Sequence, residues 1–329
     1  MVINSTIITA LNNFIGWRAN GQSKNCKRAI AGLLFAALAA LMAPSVSADY
    51  QQKIDVQTRA DDRSGRDIRY QYRVRFYPQY SFDDAYSVHA FAATGDDFAS
   101  SHNTVDDGDV DFFYLRRAYL RHSGDYGKTE FGVIPTYKGR VSSSGLSKDG
   151  WISGIRHVRQ FDNDSQFEIV VGQLDNLNPA RALDAPDKID YVELEYSARM
   201  SQRNSFEFSL ERMTDANFIR TEYRYQINDN HLVFTEWVKQ VANSQSKVVL
   251  GVEGELVFWQ QPIEYFSYYS YVSNDFGLRA ELTEDFIDVG NGFSAKFSAD
   301  IDTLRGSWFV RFDHVDSRSR VLAGLSWKL

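Results

Sequence analysis

Past residue 48, apolar and polar side chains alternate along most of the chain. In Ile68–Phe76, residues Ile68, Tyr70, Tyr72, Val74 and Phe76 share one face, and Arg69, Gln71, Arg73 and Arg75 share the other. The period of two recurs where Val192, Leu194 and Tyr196 oppose Glu193 and Glu195, and where Phe206, Phe208 and Leu210 oppose Glu207 and Glu211. It returns at Ile219, Thr221, Tyr223 and Tyr225 against Arg220, Glu222 and Arg224, and at Phe293–Ile301 against Ser294, Lys296, Ser298 and Asp300. The last nine residues set Val321, Ala323, Leu325, Trp327 and Leu329 against Leu322, Gly324, Ser326 and Lys328. Successive strand residues point to opposite faces, so each segment predicts a β-strand with one apolar and one polar side. No helical period stands out after residue 48.

The connections alternate in length. Turn formers close short links at Gly124–Gly127, Asp162–Asp164, Ser201–Asn204, Asn228–Asn230 and Trp259–Pro262. Between them lie longer links at about 95–110, 136–150, 175–188 and 273–289. Short turns at one end and long loops at the other are the plan of a transmembrane barrel. Counting back from the C-terminus, with both termini on the short-turn side, predicts an all-β, antiparallel, up-and-down transmembrane β-barrel. It has about sixteen strands, the first near Tyr50–Thr58. Fourteen is the alternative, because that first strand is short and 276–289 reads as strand, loop or both.

Residues 1–48 have a different character. Arg18, Lys24, Lys27 and Arg28 precede the apolar run Ala29–Ala43, and Pro44–Ala48 follows with Val46 and Ala48 at the −3 and −1 positions of a cleavage site. This is the form of a signal peptide over 1–48, too short and Ala-rich for a span of about 20 residues. Residues 49–329 then form the barrel domain. The leader holds four of the 36 basic residues and none of the 43 acidic ones, so its removal leaves 32 against 43, a net −11. The only cysteine, Cys26, leaves with it, and no disulfide or thiol chemistry remains. A net negative chain lacks the basic footprint of a general nucleic-acid binder.

Mean hydropathy is −0.38, and no apolar run of helix-spanning length follows Ala48, which excludes a helical membrane protein. Aromatics reach 14% all the same, the combination a barrel needs when one residue in two faces water and aromatics gather at the interfaces. Phe76, Tyr77, Tyr80, Trp151, Tyr191, Phe258, Trp259, Trp308 and Trp327 fall near predicted strand ends and read as such belts. The Tyr265, Phe266, Tyr268, Tyr269, Tyr271 cluster is the candidate for stacking sugars along a pore.

Signals for catalysis are poor. The six histidines show no metal-ligand spacing, and no Gly-x-Ser-x-Gly elbow or phosphate-cradling loop occurs. Adjacent His122 and Ser123 would point to opposite faces of a strand. The chain reads as no enzyme, with no cofactor and no metal; Asp96, Asp97, Asp106, Asp107 and Asp109 read as solvated loop acids, with a divalent-cation site the alternative.

Phe113–Ile134 places an Arg-bearing strand before a Gly-Asp-Tyr-Gly turn and a strand with a late glycine. This hairpin resembles the early hairpin of Gram-negative outer-membrane porins, of the general diffusion or the phosphate- and anion-selective type. The ending resembles the C-terminal strand read by the bacterial barrel assembly machinery, with Leu329 where Phe or Trp is usual. The resemblance implies a cell outer-membrane location after export through the periplasm, contact with outer-membrane lipids, and passive diffusion of small hydrophilic solutes or ions. It also implies that 136–150 folds into the pore as the constriction loop. That loop is usually acidic; here Lys138, Arg140 and Lys148 stand against Asp149, which leans the channel toward anions. A lipid-modifying barrel enzyme and a sealed structural or adhesive barrel are the alternatives.

A lipid-facing Arg costs about 2–4 kcal/mol at the midplane, so Arg69, Arg73, Arg75, Arg117 and Arg121 are assigned to the lumen. Glu193, Glu195, Glu207, Glu211 and Glu222 line the wall further along, setting a field across the pore; lumen ladders that only brace the wall are the alternative. Regular alternation leaves Arg116 outside. Because porin trimers bury this early-strand region, the resemblance implies a homotrimer interface there; a bulge or snorkelling would also accommodate it.

Overall fold

The computed structural model describes residues 49–105, 111–136, 146–282 and 286–329, with Leu278 and Glu281 described by their backbone alone. The expected leader over 1–48, and Asp106, Asp107, Asp109, Lys138 and Arg140, lie outside these residues.

The strands are β1 (Asp49–Arg63), β2 (Arg69–Ser81), β3 (Tyr86–Thr94), β4 (Asn103–Thr104), β5 (Phe113–Gly124) and β6 (Gly127–Pro135). They continue as β7 (Trp151–Gln160), β8 (Ser165–Gln173), β9 (Tyr191–Arg199), β10 (Asn204–Met213), β11 (Ala216–Asn228) and β12 (His231–Gln240). The last five are β13 (Ser246–Phe258), β14 (Gln261–Val272), β15 (Gly290–Ile301), β16 (Gly306–Val315) and β17 (Arg318–Lys328). Every pairing is antiparallel; apart from β2–β4 and β3–β5 the partners follow one another in the chain, and β1 closes the sheet by pairing with both β2 and β17. The two-residue β4 pairs with β2 at Gln71 and Tyr72, above the point where β3 stops. Sixteen strands therefore circle the barrel, with β4 patching one gap. Closure leaves no free edge, which a bilayer requires.

The first strand runs fifteen residues, longer than alternation alone predicts, because its early half pairs with β2 as far as Ser81. Residues 276–289 add no strand among the described residues; they hold a four-residue helical turn, Leu278–Glu281. Phe208 and Leu210 are exposed on the outside, while Ser209 and Glu211 between and beside them are buried. The C-terminal strand follows the same rule, with Val321 exposed and Leu322 buried. In the Gly-Asp-Tyr-Gly turn, Gly127 has φ +140°, and a Cβ there would sit 1.9 Å from the Val158 carbonyl oxygen. Only glycine fits that position.

Candidate pore constriction

The end of the barrel bearing the long loops is partly filled. Phe98, Leu146, Leu174, Phe276 and Leu282 from the loops join Trp151, Tyr191, Met213 and Phe218 in one buried cluster. Phe98 and Trp151 rings lie 4.7 Å apart. Glycine at 150 allows this approach, since a Cβ there would meet the Phe98 ring at 2.5 Å. Trp151 and Tyr191, expected in interfacial belts, are each 1% exposed and belong to this cluster. Tyr77 also turns from the belt, packing 4.9 Å from Phe91.

Residues 146–150, the described end of the expected constriction loop, are tied to the wall by polar contacts. Arg75 Nη2 donates to Asp149 Oδ2 at 2.7 Å, and Ser101 Oγ donates to the same oxygen at 2.8 Å. Arg117 donates to the Gly150 carbonyl at 2.8 Å and also to the Lys148 carbonyl. Thr136 Oγ1 donates to the Ser147 carbonyl, and Ser147 Oγ to that of Ala99. Burial by itself would raise the Asp149 carboxyl, but Arg75 and Arg73 beside it hold it at about 2.

Beyond this tie the basic side chains crowd one another. Lys148 is exposed and stands near Arg75, Arg73 and Lys328; desolvation and these like charges lower its ammonium pKa. Lys296 on β15 is the direct cross-strand neighbour of Arg311 on β16, and also feels Lys148 and Arg73. Arg73 Nε has no hydrogen-bond partner among the described residues. Arg69 reaches the buried Asp61 at 3.3 Å, sharing it with Arg63 and Arg66.

The opposite composition occurs on β9–β12. Register sets Glu207, Glu222 and Glu236 side by side on neighbouring strands. Fully buried Arg220 binds all three and lies 3.6 Å from Glu195, and Arg224 adds contacts to Glu207 and Glu222. Glu193 accepts from the Tyr191 hydroxyl at 2.9 Å. Glu211 pairs with Arg279, which the helical turn of the loop after β14 inserts from above, at 2.8 Å. Earlier in the wall, Arg121 pairs with Glu130 at 2.7 Å, and Glu130 with Arg156 at 3.0 Å.

Arg116 does not face outward. Its guanidinium is fully buried and donates to the carbonyls of Thr94, Gly95, Asp97 and Ser100. The cause is a bulge: Phe91 pairs with Arg117 but Ala92 pairs with Leu115, so Arg116 is the extra residue and escapes alternation. Arg116 thus anchors the loop after β3. The aromatic cluster on β14 is split: Tyr269 and Tyr271 are exposed outside, Tyr268 is buried, and Phe266 stacks 5.7 Å from Phe234. Its inner members Phe266 and Tyr268 pack against each other and the wall.

Alternation had already placed Arg220 and Lys296 on polar faces, but nothing in one strand's sequence reveals which carboxylates another strand brings beside them. Asp313 and Arg320 join through the β16–β17 register, with Arg320 2.7 Å from Asp313.

No family model and no curated protein sequence matches this chain. Solved structures of porins do resemble it. A triple mutant of the Rhodopseudomonas blastica porin superposes with TM-score 0.60 at 9% identity, over 85% of this chain and 100% of that one. OmpF of Salmonella typhi, in complex with daunomycin, superposes with TM-score 0.55 at 10% identity, over 85% of this chain and 97% of that one. At such identities the likeness shows a shared barrel fold.

Proposed function

We propose that the protein is a bacterial outer-membrane porin, a water-filled channel for passive diffusion of small hydrophilic solutes with a preference for anions. The observation that carries this reading is the crowding of Arg73, Lys148, Lys296 and Arg311 inside a closed barrel whose outer face is apolar. Rings of like charge in a pore concentrate counter-ions and exclude co-ions. The similar solved structures support the channel, and the outward apolar residues support contact with outer-membrane lipid. The alternating C-terminal strand, closed on β1 by mutual backbone hydrogen bonds between Ile54 and Leu329, supports recognition by the barrel assembly machinery.

The sealed-barrel alternative draws on the apolar cluster under the loops. Planar-bilayer recording of the processed protein separates the two. Discrete ohmic steps with a reversal potential favouring anions are expected in a salt gradient; a silent bilayer despite confirmed insertion would establish the sealed form.

A further inference from the structure

The outer face of β5, β6 and β7 changes character towards the short turns. Leu120, Phe131 and Ile155 lie abreast on these three strands, and all are exposed. Two residues further along, roughly 7 Å nearer the turns, the same face carries His122, Thr129 and His157. One step beyond come Gly124, Gly127 and Arg159, again abreast. Alternation sends the residues between them inward, where Glu130 binds Arg121 and Arg156.

The two glycines give the last row a floor of bare backbone. The His122 ring leans over it, with Cε1 3.7 Å from where a Cβ of Gly124 would stand, and packs 4.7 Å from the Tyr86 ring. On the other side the exposed Arg159 lays its guanidinium 4.6 Å over the Tyr126 ring. His157 meets the Thr129 hydroxyl through Nδ1 at 2.8 Å, so Nε2 remains for a further partner. Asp125 in the turn and Asp162 in the next one are exposed, and neither forms a salt bridge with Arg159 among the described residues. Asp164 stands 4.0 Å from Arg199 instead.

From this succession of rows we propose that β5–β7 bind a glycerophospholipid of the bilayer leaflet on the short-turn side. Its phosphate lies over the glycine floor between His122 and Arg159, and its acyl chains run along Leu120, Phe131 and Ile155. A guanidinium matches two phosphate oxygens at once, and imidazole N–H groups donate to the others. Depth decides for a lipid: a free anion makes no use of the apolar row above, and a lipid without phosphate leaves Arg159 without an anion. The site rests on the porin reading, which places this face in a bilayer.

The test is native mass spectrometry of the processed chain in detergent, titrated with dimyristoylphosphatidylglycerol. One lipid is expected to bind saturably. Dimyristoylglycerol, which lacks the phosphate, should bind about tenfold more weakly, as loss of one charge-assisted hydrogen bond implies. Arg159→Gln should lose the same factor for the phospholipid and nothing for the diacylglycerol, and His122→Leu should follow with a smaller loss. Arg305→Gln, on the β15–β16 turn across the barrel, should change neither. Heat-dependent gel mobility confirms that each variant is folded. Equal affinity for both lipids, an equal loss in Arg305→Gln, or displacement of the lipid by millimolar inorganic phosphate would overturn the site. So would a native oligomer that binds no lipid because a second copy covers this face. Conductance is read in parallel: open channels that retain no phospholipid sink the site and keep the porin, and retention at Arg159 without conductance does the reverse.

Discussion

Two walls of one barrel obey the same alternation and end with opposite electrostatics. On β9–β12, three glutamates lie abreast across neighbouring strands, an arrangement that repels on its own. Arg220, placed diagonally among them, and Arg224 beside it turn that repulsion into a closed network. On β15 and β16, Lys296 and Arg311 are also abreast, and the loop adds Lys148 and β2 adds Arg73; Asp313 pairs with Arg311 at 2.7 Å, and Asp149 stands beside Arg73 and Lys148. The first wall uses its charges to brace itself. The second sets several basic groups beside one another, with like charges as direct neighbours. A polar inner face therefore does not by itself identify selectivity; what matters is whether cross-strand neighbours cancel.

The comparison breaks most visibly at Arg220. Arg220→Met leaves several buried carboxylates uncompensated and should cost about 3–5 kcal/mol. Heat-dependent gel mobility of the detergent-solubilised barrel should show unfolding at much lower temperature, while Arg73→Met at the other wall should hardly move it. A similar loss from both would show that the basic wall is braced in the same way.

Selectivity should respond in the opposite order. A unit charge at 4 Å is worth about 1 kcal/mol in water, so Arg73→Gln with Lys296→Gln should reduce the anion-to-cation permeability ratio by roughly tenfold. Reversal potentials in a salt gradient measure this, and an unchanged potential would remove the basic wall from permeation. Arg224→Gln, inside the cancelled network, should leave the ratio near that of the parent.

The smallest effect is expected from pH at the loop tie. The Asp149 carboxyl is depressed from its ordinary 3.8 to about 2. A depressed folded-state pKa means the Arg75–Asp149 tie contributes fully above 3.8 and is lost as pH falls through about 2. Channel current noise should therefore rise on acidification between pH 4 and pH 2, and Asp149→Asn should be noisy throughout. Parent noise that is flat over this window would show that the other loop contacts suffice.

Much of the fold was legible because alternation is a local property. Ile68–Phe76 and Val321–Leu329 state their inner and outer faces without reference to any other segment, and the spacing of turns gives the antiparallel order. The Arg-bearing β5 shows where this stops. Two successive arginines defeat a strict period of two, and the bulge that resolves them is visible only as a pairing between Ala92 and Leu115. The site was legible as a list of inward charges but not as partners. Trp151 illustrates the same limit for apolar residues, since a tryptophan at a strand end suits an interface and a buried cluster equally until the loops are placed.

By itself the sequence determined the sidedness of each strand, the direction in which the chain turns, and the stock of charge facing inward, because these depend on neighbours one or two residues apart. Tertiary structure decided which carboxylate meets which guanidinium, where alternation slips, and how far the loops enter the lumen. Those outcomes depend on register between strands and on contacts such as Arg75 with Asp149, seventy-four residues apart in the chain. Only closure of the whole sheet brings them within bonding distance.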